Sequence, residues 1–73
     1  MNEDDFLICI AKALEINVNK ISLGTTSDDL EEWDSLGHLT ILFALDKETE
    51  GSASKIDGLS AMTNLGDIFN ALN

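Results

Sequence analysis

Asp34-Ser35-Leu36-Gly37-His38-Leu39-Thr40-Ile41-Leu42-Phe43-Ala44-Leu45-Asp46-Lys47-Glu48-Thr49 has the form of a capped helix, and the fold is read from it. Either the Asp34 or the Ser35 side chain can accept from the free backbone N–H groups of a first turn. At about 100° per residue, Leu36, Leu39, Ile41, Leu42, Phe43 and Leu45 share one broad arc. Gly37, Thr40, Ala44, Lys47 and Glu48 form a narrower stripe opposite. The expectation is a central helix ending near Thr49, with only that stripe exposed.

Working outward, Phe6, Ile10, Ala13 and Leu14 fall on one face of a first helix behind the acidic turn Glu3 to Asp5. From Glu15 to Glu32 the spacing loosens into a long connection with Ile16, Val18, Ile21, Leu23 and Leu30 as anchors. Gly24 to Ser27 reads as its turn, and Ser27 or Asp28 as the cap of a short helical turn. Beyond the central helix, Glu50 to Lys55 is a polar link, and Ile56 to Met62 a short, weakly helical segment interrupted by Gly58. Thr63 or Asn64 caps a last helix whose Leu65, Ile68, Phe69 and Leu72 face inward. The expected fold class is all-α: a single domain over 1–73, a small four-helix up-and-down bundle (three main helices plus one short) with a long first crossover.

Composition narrows the function. Fourteen acidic residues against four basic ones give a formal net charge of -10. That repels nucleic acid and anionic lipid, so no nucleic-acid and no membrane partner is expected, and it favours partners with basic surfaces. With 44% hydrophobic residues the chain carries enough apolar surface for a packed core. A domain this size buries only about 60% of its unfolded surface, which disfavours a deep enclosed active site. Cys9 is the only cysteine, so no internal disulfide or multi-cysteine zinc pattern is available. It reads as buried filler, with no basic neighbour placed to stabilise a thiolate. The start Met1-Asn2-Glu3-Asp4-Asp5 lacks the basic region of a secretory signal, and a soluble cytoplasmic monomer is expected.

Ser35 stands where a long loop meets the start of the central helix. From helix physics alone it is a plain N-cap. A phosphodiester on the same oxygen would also be favoured there, by the free N–H groups and the positive end of the helix dipole. Trp33-Asp34-Ser35-Leu36-Gly37-His38-Leu39 resembles the Asp-Ser-Leu attachment motif of acyl and peptidyl carrier proteins. Chain length, acidity, the first helix, Leu30 and the stretch Met62-Thr63-Asn64-Leu65 extend the resemblance over essentially the whole chain.

The resemblance implies an acyl-carrier-like bundle that is not itself an enzyme and has no catalytic residues and no metal site. Ser35 would receive 4'-phosphopantetheine from coenzyme A through a phosphopantetheinyl transferase, with magnesium used by the transferase. The arm's thiol would hold an acyl or aminoacyl group as a thioester. Asp34 and Leu36 match the motif as contacts for partners, which are acyl-loading and acyl-transferring enzymes with basic docking surfaces; Thr40 and Glu48 are further candidates on the exposed stripe. The chain departs from the family there, since Gly37, Thr40 and Lys47 replace a strongly acidic stripe, which points to a dedicated pathway. Thr49, where the family has a large apolar residue, implies a looser core beneath the third segment.

Other readings compete at particular residues. His38 lies three residues after Ser35, but no carboxylate is set to orient it as a triad requires, so it reads as packed or partner-touching. Trp33 is expected to cover the loop–helix junction with its indole N–H near solvent. The loop 46–57 places Asp46, Glu48, Glu50, Ser54 and Asp57 at positions 1, 3, 5, 9 and 12 with Gly51 at 6, a partial EF-hand spacing. Asp57 is short for the bidentate Glu, and Ala53 stands where an apolar strand residue belongs. The remaining alternative is a non-covalent acidic helical adaptor, for which Ser35 is dispensable.

Overall fold

A computed structural model describes every residue from Met1 to Asn73. Three α-helices, α1 (Glu3–Leu14), α2 (Ser35–Glu48) and α3 (Leu65–Leu72), are joined by segments containing single 3₁₀ turns at Val18–Lys20, Ser27–Asp29, Ala53–Lys55 and Leu59–Ala61. There is no strand. The all-α expectation holds, but the short fourth helix is replaced by the last two of these turns, because Gly58 takes a left-handed φ of 80° ahead of Leu59 and breaks the helical run.

Each α-helix starts on a side-chain cap. Asn2 accepts from the Asp5 N–H at 2.8 Å, Asp34 from Gly37 at 2.8 Å and Asn64 from Asp67 at 3.1 Å. Asp34 therefore caps α2, and Ser35 is its first helical residue. The 3₁₀ turn at Ser27–Asp29 is capped by Thr26, not by Ser27 or Asp28; its N–H donates to Asp29 Oδ2 at 2.9 Å. α1 ends at the cap residue Glu15, whose left-handed φ of 56° turns the Ile16 N–H back onto the Ala11 carbonyl at 3.0 Å.

Phe6, Ile10, Ile41, Leu45, Leu65 and Ile68 are fully buried and form the centre of the core, with Phe6 and Phe69 tilted ring to ring at 5.2 Å. On α1 the buried face includes Ala11, while Ala13 is half-buried. Ile21 is the buried anchor of the first connection; Ile16, Leu23 and Leu30 pack against the core, and Val18 is exposed.

Two expectations about packing are corrected. Leu14 lies against the position of Gly37 while Met1 and Asp5 lie near Glu48 and Thr49, so α1 and α2 run antiparallel. α3, however, begins at the Ser35 end: Ser27, Ser35 and Thr63 line one depression, and Phe69 reaches Phe6 near the start of α1. The second connection therefore crosses the molecule and α3 runs in the same direction as α2, so the bundle is not up-and-down. The first connection is stitched to the start of α3 by Ser27 N–H to Thr63 O, Leu65 N–H to Thr25 O and Gly66 N–H to Leu23 O, at 2.8 to 3.0 Å. These bonds satisfy backbone groups that a loop of this length would otherwise leave to water.

α2 also turns a different face to the core than expected. Its buried face is Gly37, Ile41 and Leu45, whereas Leu36, Leu39 and Phe43 are 73%, 46% and 66% exposed. The core direction is turned by roughly 90° from that expected. α2 carries apolar residues all round, so periodicity alone does not choose the inner face. Gly37 chooses it: a Cβ there would overlap the Glu32 carbonyl oxygen and come within 3.2 Å of Leu14 Cδ2, so the backbone of the preceding corner packs directly on this turn. Thr49 does not loosen the helix end. Its hydroxyl donates to the Leu45 carbonyl at 2.7 Å and accepts from the Ala53 N–H at 3.0 Å, joining α2 to the next turn.

Candidate functional site around Ser35

Ser35 is exposed at the first position of α2, and its hydroxyl takes part in no hydrogen bond of the fold, because Asp34 does the capping. The Gly37 N–H goes to Asp34 Oδ1 and the His38 N–H to the Asp34 carbonyl at 2.8 Å. The N–H groups of Ser35 and Leu36 precede the helical ladder and remain open to a second acceptor. A phosphodiester on Ser35 fits this end: it needs an accessible oxygen, unspent N–H groups and the positive end of the helix. The cap itself, worth about 1 kcal/mol, belongs to Asp34.

The hydroxyl stands at the edge of a shallow depression formed by Ser27, Trp33, Asp34, Ser35, His38 and Thr63. Ser27 and Thr63 come from the two segments stitched together above. The sequence gives no sign that they lie near Ser35, because their proximity depends on the reversed course of α3.

Trp33 is buried, at 4% exposure, and its indole N–H donates to His38 Nδ1 at 2.9 Å, with the rings within 15° of parallel. The indole N–H is thus spent on His38 rather than left to solvent. His38 Nε2 lies 2.7 Å from the Ser60 carbonyl. Because indole N–H is only a donor, Nδ1 must be the acceptor and Nε2 the protonated nitrogen that donates to Ser60. Both ring nitrogens are engaged, so His38 is not a base for Ser35.

Of the expected partner contacts, Asp34 and Leu36 adjoin Ser35 and are exposed. Thr40 is half-buried and spends its hydroxyl on the Leu36 carbonyl at 2.9 Å. Glu48 is about 20 Å away along the helix, beside Met1, Cys9 and Lys12. The structure does not bring it to the Ser35 site. In place of a polar stripe, α2 presents Leu36, Leu39 and Phe43, with Thr40 and Lys47 alongside. Leu39, Leu42 and Phe43 also border a mostly apolar, open hollow of about 260 Å³ that Ala53, Ile56 and Leu59 line from the other side.

Beside Glu48, the Cys9 thiol is pushed above its ordinary value, by burial first and by the Glu48 charge second; Lys12, a basic neighbour the sequence reading did not place there, only partly offsets them. The EF-hand spacing is not realised as a metal site. Asp46 Oδ1 accepts from the Ser54 N–H at 3.1 Å, Ala53 is buried, and Glu48 lies by α1. No group of three or more His, Cys, Asp or Glu side chains is placed to hold an ion. No helix is long and apolar enough to cross a membrane.

Comparison with protein-family models, with curated proteins and with solved structures returns no significant match to this chain.

Proposed function

We propose that this chain is a carrier module of acyl-carrier type, holding acyl or aminoacyl intermediates as thioesters on a 4'-phosphopantetheine arm joined to Ser35. The observation that carries the reading is the Ser35 hydroxyl: exposed, unspent in hydrogen bonding, and fixed at the head of a helix that Asp34 has already capped. The Trp33-to-Leu39 motif supports it, and on this reading the three helices and long connections form an acyl-carrier-like bundle. Ser35 needs no base of its own, because a phosphopantetheinyl transferase supplies activation and takes the hydroxyl proton. The module is not an enzyme, holds no metal and works as a cytoplasmic monomer.

Partner enzymes read the surface around Ser35. The acids Asp28, Asp29, Glu31, Glu32 and Asp34 lie in a stretch with no lysine or arginine between Lys20 and Lys47, and this suits a basic surface. The Leu36–Leu39–Phe43 ridge next to it suits an apolar hollow on the same partner. That ridge equally favours a non-covalent adaptor, and the two readings separate at Ser35.

The test is the intact mass after incubation with coenzyme A, magnesium and a broad-specificity phosphopantetheinyl transferase, with Ser35→Ala in parallel. The expected result is one phosphopantetheine on the parent and none on the variant, whose stability stays within about 0.5 kcal/mol of the parent. Folded parent protein that gains no mass with several transferases refutes the carrier reading and leaves the adaptor.

A further inference from the structure

Trp33, His38 and Ser60 belong to three different segments: the corner before α2, the first turn of α2 and the 3₁₀ turn Leu59–Ala61. Their two hydrogen bonds join those segments across the base of the site. The Trp33 bond requires an unprotonated Nδ1, since an indole N–H has no acceptor to offer. A proton arriving at Nδ1 sets two N–H groups head to head at a position now spanned by a 2.9 Å bond. The Ser60 bond is unaffected, because Nε2 carries a proton in both states.

We propose that these three residues form a proton-operated latch. With the imidazole neutral, Trp33 is locked and the corner Leu30–Asp34 is held against α2. With the imidazole protonated, the indole side lets go while the Ser60 side stays closed. The corner that loosens carries the cap Asp34 and leads into Ser35, so the device alters the order of the site without unfolding the bundle. Around the imidazole, Asp34 is the one charged residue lining the shared depression, and its carboxylate is held by the Gly37 N–H. Ser27, Ser35 and Thr63 on the same depression are neutral, as is Ser60 on the facing turn. The inference does not depend on Ser35 carrying any group.

The chain has one tryptophan, no tyrosine and one histidine, so each partner of the latch reports without interference. The experiment follows the unmodified protein from about pH 8 to 5, the interval in which histidine side chains change charge. It records Trp33 emission, the indole N–H resonance, the His38 ring nitrogen shifts and the far-ultraviolet helix signal. The latch predicts the Nε2–H tautomer at the alkaline end. As His38 titrates, emission shifts to the red and protection of the indole N–H is lost, with the helix signal unchanged. His38→Gln removes the pH response; if that variant does not fold, Trp33→Phe serves instead, and its ring nitrogens lose the tautomer preference. The latch is overturned if His38 titrates while Trp33 stays silent, if it remains neutral throughout the interval, or if His38→Gln responds like the parent.

Discussion

α2 carries two apolar faces of similar composition and opposite fate. Gly37, Ile41 and Leu45 are buried in the core; Leu36, Leu39 and Phe43 stand largely in solvent on the other side. Burying a large apolar side chain is worth about 1.5–3 kcal/mol, so a helix chosen for stability alone would not leave three of them exposed in a row. The inner face explains why the chain folds, and the outer face, starting one residue from Ser35, is free for recognition. Acidity and apolarity are also divided: charge dominates the corner before α2, while the first two turns and a half of the helix itself expose Leu36, Leu39 and Phe43.

The inner face is most sensitive at Gly37. A Gly37→Val substitution drives a branched side chain into the Glu32 backbone. Overpacking costs of about 1–3 kcal/mol or more approach the total of about 3–5 kcal/mol that so small a core supplies. The expected outcome is loss of the cooperative thermal transition. Thr40 occupies the position that the sequence periodicity paired with Gly37 on one stripe, and Thr40→Val should melt close to the parent. Equal damage at both positions would mean that the inner face is misassigned.

A matched pair sharpens the contrast between faces. Ile41→Ala should cost about 2–5 kcal/mol in urea denaturation, and Phe43→Ala less than about 0.5 kcal/mol. With a cognate partner the order reverses, and Phe43→Ala weakens binding most. Because the ridge is apolar, the part of the affinity lost in Phe43→Ala should change little with salt, whereas the part lost on neutralising Glu31 and Glu32 should fall as salt rises.

The smallest expected effect lies at the far end of α2, beside Cys9. Its thiol is held above the ordinary value, so as pH rises the unfolded chain gives up the thiol proton before the folded one does. The folded state then binds more protons, and stability declines with increasing pH. This contribution is fully present below the usual thiol range, near pH 8.5, and is lost as pH climbs through the folded value. Denaturation midpoints measured from neutral to alkaline pH should fall in the parent and fall less in Cys9→Ala. In the native state the thiol should react slowly with alkylating reagents near neutrality.

The three α-helices and their starts were legible in local sequence. Asp34 and Asn64 are local signals, legible because a cap bonds to a backbone group three residues away. Phe6, Ile10, Leu65 and Ile68 were legible as core for the same reason, since amphipathic spacing is a short-range pattern. The exposure of Ser35 was also readable from its place at a loop–helix junction. Contacts that need the whole chain to fold were not. α2 is apolar on every side, so its inner face was fixed by the corner at Glu32 packing on Gly37. The short helix gave way to 3₁₀ turns at the left-handed Gly58, and the chain recrosses the molecule there to start α3 beside residues 23–27. His38 found Ser60 through the same recrossing, whereas Trp33 meets His38 locally, five residues away across the start of α2. Hydrogen bonds between remote segments leave no periodic trace in a sequence, which is why the ridge on α2 and the latch beneath Ser35 appear only in the folded chain.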